Sequence, residues 1–470
     1  MKKNYAKFVF NELKVLFDKD IKFFVSGNTV FYGISTDTRT LEPGNIFVGL
    51  KGENFDGSTL TTTAFEKGAA IAIINANYYQ EHPDELKKYN IIAVENTLTA
   101  LASLARFHRY KFDIPIVAIG GSNGKTTTKE MRSAVLQRKY NLLKTEGNYN
   151  NQIGVPLTLL QLDDSHTAAV IEIGTNEPGE IAVLTSIVRP THGLITNIGR
   201  EHLEQLTDLD GVEMEETFLF GHLKKQNGLA FINLDDKRLK KYPPFLDKNL
   251  VYGTDKEADV YATFEFNNKL QARLRIEDKS LKTDDNRTLE IALNVTGYAA
   301  AHNAIAAAAV GIQLDITPDD IIDALENFRQ DDSHEYARML LQITRGIKIL
   351  NDCYNANPDS MRMALLTLNE MKTSGRKFAV LGDMRELGDA SLTEHIALLE
   401  ETAARIERIY LIGNEMLKAA KKSDIPSVKT FNTHEELAAA LKKVLLEDDI
   451  ILVKGSRGMK MEQIIKFLME

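Results

Sequence analysis

The residues best equipped for chemistry lie together in Gly120-Gly121-Ser122-Asn123-Gly124-Lys125-Thr126-Thr127. Glycines let a backbone approach a polyphosphate closely. Free N–H groups at a helix start, with a lysine beside them, favour an anion there. In such a loop Lys125 reaches the outer phosphates of a nucleoside triphosphate and the Thr126 hydroxyl holds Mg²⁺. The commonest form of the loop opens with a glycine where this chain has Ile119, so the loop is a variant with its glycines drawn closer to the lysine. Two more candidates follow. Glu172 sits near the end of the apolar run Ala168–Ile173, and a carboxylate at a strand end beside a phosphate loop suits a cation that prefers oxygen ligands. His202 lies just past the apolar run Gly193–Ile198. A lone histidine is ordinarily structural, but open α/β sheets place ligands at such strand ends, so both readings stand at this point.

These groups need a scaffold of strands and helices. Ile114–Ile119 reads as a buried strand feeding the loop, and a helical pattern follows from Lys129. Three units are expected, all α/β in character: 1–108, 109–330 and 331–470. In the first, extended Val25–Ile34 leads to Ser35-Thr36-Asp37-Thr38-Arg39, which is either a polar turn or a site for a nucleotide or sugar. The strands Ile46–Val48 and Ala70–Ile74 alternate with a helix at Thr59–Lys67. The second unit holds the phosphate loop, an amide-rich loop Thr145–Pro156, strands at Ala168–Ile173, Gly193–Ile198 and Leu229–Leu234, and antiparallel strands over Ala258–Leu293 with a charged connector at Glu277–Arg287. Glu213, Glu215 and Glu216 fall in a helical segment and read as a solvated face. Ala299–Val310 is a helix of very small residues that must pack closely against a neighbour, with His302-Asn303 near its start. The third unit has strands at Gly346–Leu350, Phe378–Leu381, Arg408–Ile412 and Ile450–Val453 with polar residues at their ends, a doubly wound, Rossmann-like pattern. It lacks a G-x-G-x-x-G turn, which argues against a dinucleotide.

The 470 residues, 43% hydrophobic and 26% charged, suit a globular protein of several domains. A net charge of −9 argues against a nucleic-acid partner and requires local groups to hold an anionic ligand. The single cysteine, Cys353, excludes an intrachain disulfide and a cysteine-based zinc site. No apolar run approaches the roughly 20 residues of a membrane helix, and the N-terminus mixes charge and apolar residues too finely for a signal peptide. A cytoplasmic monomer without membrane insertion is expected.

Taken together, STDTR followed by LEPGNIFVGLKGENFDG, then GGSNGKTT, EGNYNNQIGVPLTLL, VIEIGTNEPGEI, ITNIGREHLE, HNAIAAAA, NDCYNANPDSM, LGDMRELG and VKGSRGMKME, the chain resembles the ATP-dependent Mur ligases over nearly its whole length. The phosphate loop alone marks only the superfamily. YNANPDSM, GDMRELG and VKGSR point to the member that joins D-alanyl-D-alanine to UDP-N-acetylmuramoyl-tripeptide in peptidoglycan precursor synthesis. The resemblance implies an N-terminal uridine-nucleotide-binding domain, a central ATPase-like domain with a mostly parallel sheet and a C-terminal Rossmann-like domain that swings in on closure. It implies amide synthesis through an acyl phosphate, with ATP and Mg²⁺. Lys125 and the loop residues Gly121, Ser122, Asn123, Gly124, Thr126 and Thr127 would hold the phosphates. Thr126 and Glu172 would hold one Mg²⁺ and His202 a second. Asn303 would meet the adenine, Arg338 the γ-phosphate and Asp352 the ribose. Ser35, Thr36 and Arg39 would take the uridine nucleotide. Asn148, Asn151, Asn355, Asn357, Lys454 and Arg457 would face the peptide substrates.

The chain departs from the family pattern at Glu216, where the resemblance calls for a lysine that carries CO₂ as a carbamate on the second Mg²⁺. A glutamate supplies the same pair of anionic oxygens on a shorter stem, so Glu216 is expected to replace the carbamate as a metal ligand. The competing reading is a solvated helix glutamate beside a weakened metal site. Glu177 and Cys353 also depart from the usual residues and are expected to change local hydrogen bonds only. Another ligase of the superfamily, or a nucleotide-binding protein without the chemistry, stays open on sequence grounds.

Overall fold

A computed structural model of the chain describes residues 4, 6–22, 29–280, 287–330 and 337–470. The first part of the Val25–Ile34 stretch, most of the Glu277–Arg287 connector and the expected boundary at 331 lie outside the described residues.

Three main sheets follow one another along the chain. The first has four parallel strands, Ile34–Ser35, Ile46–Val48, Ile71–Asn75 and Ile91–Val94. The helix Thr97–Arg109, α1, leads out of it, capped by Asn96, whose side chain accepts from the N–H groups of Leu98 and Thr99.

The second sheet has nine strands. Its parallel part runs, edge inward, Leu142–Lys144, Ala168–Glu172, Ile116–Gly120, His192–Ile195, Leu229–Asn233 and Asn249–Gly253. Val260–Phe266 continues it in parallel, and Gln271–Asp278 and Arg287–Thr296 add antiparallel strands. Every residue of Ile116–Gly120 and Ala168–Glu172 is buried, as expected for strands covered on both faces. The helix Lys125–Leu136, α2, follows the phosphate loop. The small-residue helix runs over Tyr298–Gln313, α3, and packs on α2. Its closeness is tight enough that a Cβ on Gly311 would meet Val135 Cγ1 at 2.7 Å. His302 and Asn303 lie inside this helix.

The third sheet runs Leu340–Thr344, Ile347–Asp352, Ile450–Lys454, Lys377–Gly382, Arg408–Ile412 and Val428–Phe431, with only the first strand antiparallel. The helix Pro358–Glu370, α4, leaves its second strand, with Asn357 as cap and Pro358 in the first turn. Short strands that sequence reading passed over, such as Leu142–Lys144 and Asn249–Gly253, are three to five residues long and exist through pairing rather than through pattern.

The acidic stretch Glu213–Glu216 is a correction. These residues were expected on a solvated face, yet Glu213, Glu215 and Glu216 are buried. Each has specific partners. Glu215 accepts from the N–H groups of Gly179 and Ile181, both at 2.7 Å, at the start of the helix Glu180–Val188. Glu213 accepts from the Tyr242 hydroxyl at 2.6 Å and pairs with Arg238 and Lys241.

The first and second sheets meet at His108 of α1, whose Nε2 lies 2.9 Å from the carbonyl of Leu162 and whose ring packs edge-on to Phe112. Burial lowers its pKa from 6.5 to about 4, against the opposing pull of the Leu162 carbonyl. The neutral ring therefore contributes stability that is present above the unfolded pKa of 6.5 and is lost as pH falls through about 4. His108→Gln keeps a donor for Leu162 and removes the titration. Urea unfolding between pH 7 and pH 4 should show the variant losing less stability than the parent, by on the order of 3 kcal/mol; parallel pH profiles would contradict this.

Candidate active site

The phosphate loop is built by register. Ile119 pairs with Glu172 and Gly120 with Ile195, so three neighbouring parallel strands end at the same level. Gly121 and Gly124 take φ values of +106° and +83°, in the region that favours glycine. A Cβ on Gly121 would fall 2.4 Å from Thr196 Oγ1, and one on Gly124 2.7 Å from Asn303 Oδ1. Gly124 ends the loop and Lys125 opens α2. Thr126 Oγ1 donates to Glu172 Oε1 at 3.2 Å, and Asn150 Nδ2 donates to the same oxygen at 2.9 Å. Thr128 Oγ1 donates to Asn303 Oδ1 at 3.0 Å, which ties the α3 asparagine to the loop. Ser122 exchanges hydrogen bonds with Gly199, and Asn123 N–H donates to Asn197 Oδ1 at 3.0 Å.

Lys125 is the electrostatic centre. Its Nζ donates to the Gly121 carbonyl and stands 3.4 Å from Glu201 Oε2. Burial lowers its pKa, but the carboxylates of Glu201, Glu216 and Glu172 outweigh burial and raise it. Glu216 Oε2 accepts from Gly121 N–H at 2.7 Å, beneath the loop. Burial pushes the Glu216 carboxyl up to about 7, with Lys125 opposing and Glu201 adding to the shift. Glu172 Oε2, Glu201 Oε1 and Glu216 Oε1 are buried without a hydrogen bond. His202 takes a left-handed conformation, φ +49°. Its Nδ1 lies 2.7 Å from Glu386 Oε2 of the C-terminal unit and its Nε2 3.9 Å from Glu201 Oε2. Burial draws its pKa down, and the two carboxylates more than reverse that.

The remaining candidates are spread over the three units. Ser35 Oγ donates to the Asp37 carbonyl, and Arg39 forks onto Asp37, whose pKa falls to about 2 through that hydrogen bond. Thr36 lies in the same turn, half-buried. Asn151 Oδ1 accepts from the N–H groups of Ile153 and Gly154, and Asn148 is exposed on the same loop. In the C-terminal unit Lys454 and Asp352 are paired in register across neighbouring strands, and Lys454 Nζ lies 2.7 Å from Asp352 Oδ2. Lys454 also donates to the carbonyl of Asn355, whose Oδ1 takes the Arg457 N–H. Arg338 lies over the Tyr354 ring, 4.1 Å from its centroid. Asn357 Nδ2 donates to Asn123 Oδ1 of the phosphate loop at 2.9 Å.

Family models match in chain order: the Mur ligase family catalytic domain over residues 30–109, the Mur ligase middle domain over 119–311, and the Mur ligase glutamate ligase domain over 337–457. The chain belongs to the Mur ligase family. It is 33% identical over 451 residues to the UDP-N-acetylmuramoyl-tripeptide–D-alanyl-D-alanine ligase of Bacillus subtilis, covering 94% of each chain. It is 33% identical over 443 residues to the ligase of the same name from Escherichia coli, covering 93% of each. Among solved structures it resembles a MurF from Acinetobacter baumannii, with TM-score 0.86, 28% identity and coverage of 100% and 99% of the two chains. It also resembles the MurF ligase of Thermotoga maritima in complex with ADP, with TM-score 0.81, 26% identity and coverage of 93% and 96%.

In this Mur ligase several residues that sequence reading passed over line the site. Glu201 faces Lys125, Asn150 holds Glu172, and Glu386 faces His202. Glu201 adjoins His202 in GREHLE and could have been noticed there. Glu386 could not, because its partner is distant in sequence. Lys129, one turn along α2 from Lys125, is fully buried, with Nζ 3.5 Å from Glu172 Oε2 and 3.2 Å from Glu130 Oε1. Among the described residues no three His, Cys, Asp or Glu side chains converge closely enough to hold a metal ion. The four sequence-named metal ligands do not form one cluster: Thr126 and Glu172 touch, His202 pairs with Glu386 and Glu201, and Glu216 holds Gly121.

Lys129 is the buried counter-charge of Glu172. Lys129→Met should cost about 3 kcal/mol of stability, because it strands a buried carboxylate. Chemical denaturation checks it, and a loss below about 1 kcal/mol would show that Lys129 does not balance Glu172.

Proposed function

We propose that this Mur ligase joins D-alanyl-D-alanine to UDP-N-acetylmuramoyl-tripeptide through an amide bond, driven by ATP, as a step in peptidoglycan precursor synthesis. The observation that carries the reading is the end-to-end match, at 33% identity, with ligases of that name. A phosphate loop alone would support only nucleotide binding. Units 1–108, 109–330 and 331–470 would share the work: uridine nucleotide, ATP and incoming dipeptide.

The residues present fit a nucleoside triphosphate. The loop has two positive-φ glycines, a lysine at its helix start and N–H groups at a helix N-terminus. They also fit one Mg²⁺, because Thr126 and Glu172 already touch and Glu172 keeps a buried oxygen without a hydrogen bond. They do not form a second metal site from His202 and Glu216 alone. ATP supplies the driving force, since a phosphorylated carboxyl group can be attacked by an amine where a free carboxylate cannot. Lys125, now on Gly121 and Glu201, would hold the phosphates and offset their charge. Asn303 borders the adenine from α3. Ser35, Thr36 and Arg39 receive the uridine nucleotide. Lys454, Arg457, Asn355 and Asn357, with Asn148 and Asn151, line the path of the peptides. Arg338, which lies over Tyr354, would hold the terminal phosphate, and Asp352 would meet the ribose. An ATP-consuming reaction of this kind belongs in the cytoplasm, and among the described residues no helix is long and apolar enough to cross a membrane.

Two measurements test this. Phosphate release with UDP-N-acetylmuramoyl-tripeptide and D-alanyl-D-alanine should be robust, should be absent with folate and glutamate, and should fall by about 10²-fold or more in Lys125→Ala. Unchanged product formation in that variant would overturn the reading. Glu216 would supply its carboxylate beneath the loop, on the Gly121 N–H and facing Lys125, rather than in a second metal site, and it needs no CO₂. Turnover should therefore survive in CO₂-depleted buffer and drop sharply in Glu216→Gln. A strong bicarbonate requirement, or normal turnover in the variant, would remove that role.

A further inference from the structure

The C-terminal unit touches the phosphate loop through the N-terminus of α4. Asn357 caps that helix with Oδ1 and bonds Asn123 with Nδ2. Two residues on, Asp359 meets Arg200. The Arg200 backbone N–H donates to Asp359 Oδ2 at 2.6 Å, and its guanidinium donates to Asp359 Oδ1 at 2.8 Å. The same guanidinium reaches Glu394 Oε1 at 3.1 Å, on the helix Ser391–Ala403. Arg362 closes the network from within the C-terminal unit, 3.3 Å from Glu394 and 2.9 Å from Glu401. Gly199 makes room for the approach, since a Cβ there would lie 3.1 Å from Asp359 Oδ2 and 3.0 Å from Asn123 Nδ2. Farther along the seam the Glu204 N–H donates to the Glu386 carbonyl at 3.2 Å.

We propose that Arg200 is a positioning residue for the ligase reaction: it clasps α4 and the helix Ser391–Ala403 together and thereby sets the C-terminal unit over the phosphate loop. The inference rests on the functional reading above. Arg200 stands in the central unit, two residues before His202, and both its carboxylate partners stand in the C-terminal unit. An arginine fork can satisfy two carboxylates in fixed directions, so it fixes orientation as well as contact. Its partners come from two different helices, so full pairing requires both helices in place at once. A loose surface pair would leave the backbone out of the contact. Here the Arg200 N–H takes part, and the neighbouring Asn123–Asn357 bond places the same helix end on the loop that holds the phosphates. The Arg200 and Asp359 side chains are each 32% exposed and Glu394 is 17% exposed. Water and salt reach the clasp, so it can open, and its grip should weaken with ionic strength.

The test uses the full-length protein and joins three readouts: the radius of gyration by small-angle scattering with and without nucleotide and tripeptide substrate, ATP affinity by equilibrium titration, and steady-state phosphate release. Arg200→Ala should enlarge the liganded form and lower kcat by about ten-fold or more, because small errors in placement of reacting groups are costly. ATP affinity should fall by a clearly smaller factor than kcat, because the phosphate loop with Lys125 stays intact and only the contacts proposed for Arg338 and Asp352 would be loosened with the C-terminal unit. Arg200→Glu should be worse, and Arg200→Lys should recover part of kcat. About 0.5 M salt should slow the parent toward the alanine variant and leave that variant little changed. Unchanged size and kcat in Arg200→Ala would overturn the proposal. So would an equal loss of ATP affinity and kcat with a lower melting temperature, the mark of a merely structural role. If Arg200→Ala enlarges the protein while the parent makes no amide product, the clasp stands and the functional reading falls.

Discussion

Everything at the centre of this molecule depends on one ammonium group, Lys125, enclosed by carboxylates. A buried charge is tolerated only where opposite charge and hydrogen bonds replace water. Glu201, Glu216 and Glu172 provide the opposite charge, and the Gly121 carbonyl provides a hydrogen bond. The arrangement is lopsided: three acids face two lysines, Lys125 and Lys129, and each acid keeps one oxygen without a hydrogen bond. Surplus anionic oxygen beside a phosphate loop suits a hard divalent cation.

This enclosure is possible because a parallel sheet delivers its strand ends together. Ile116–Gly120, Ala168–Glu172 and His192–Ile195 are adjacent and in register, so the phosphate loop, Glu172 and the segment leading to Glu201 and His202 emerge at one edge. The helix α3 closes the side of the loop with Asn303, which is why α3 is made of small residues where it packs on α2. A bulkier seam would lift Asn303 from Thr128 and from the flank of Gly124.

The C-terminal unit brings its own strand ends to the same place. Lys454 and Asp352 pair at neighbouring strand ends, while Glu386 and the start of α4 reach the central unit. A ligase must gather several anionic groups at one point and exclude water while they react. A site shared between two sheets meets that need, because groups from both are brought against the phosphate loop at one seam. His202 and Glu386 both hold positive φ at this seam, +49° and +64°, and local strain of that kind persists only where the surrounding contacts enforce it.

The sequence by itself determined the strand–glycine–lysine–helix unit, the alternation that makes three α/β layers, the close-packed α3 and the family. These rest on local signals: apolar runs, glycines that a turn requires, and a lysine at a fixed offset from them. Glu172 was legible for the same reason, as a carboxylate ending an apolar strand. The tertiary structure alone decided what faces what. Glu213, Glu215 and Glu216 looked like a wet helix face, because nothing near them in the chain shows that Gly179, Tyr242 and Gly121 will receive them. Glu386 and Asp359 gave no signal, because their partners, His202 and Arg200, are more than a hundred residues away. Pattern reports which faces an element must bury; pairing between distant charges is set only when the sheets dock, since a side chain's electrostatic role is fixed by its neighbours in space.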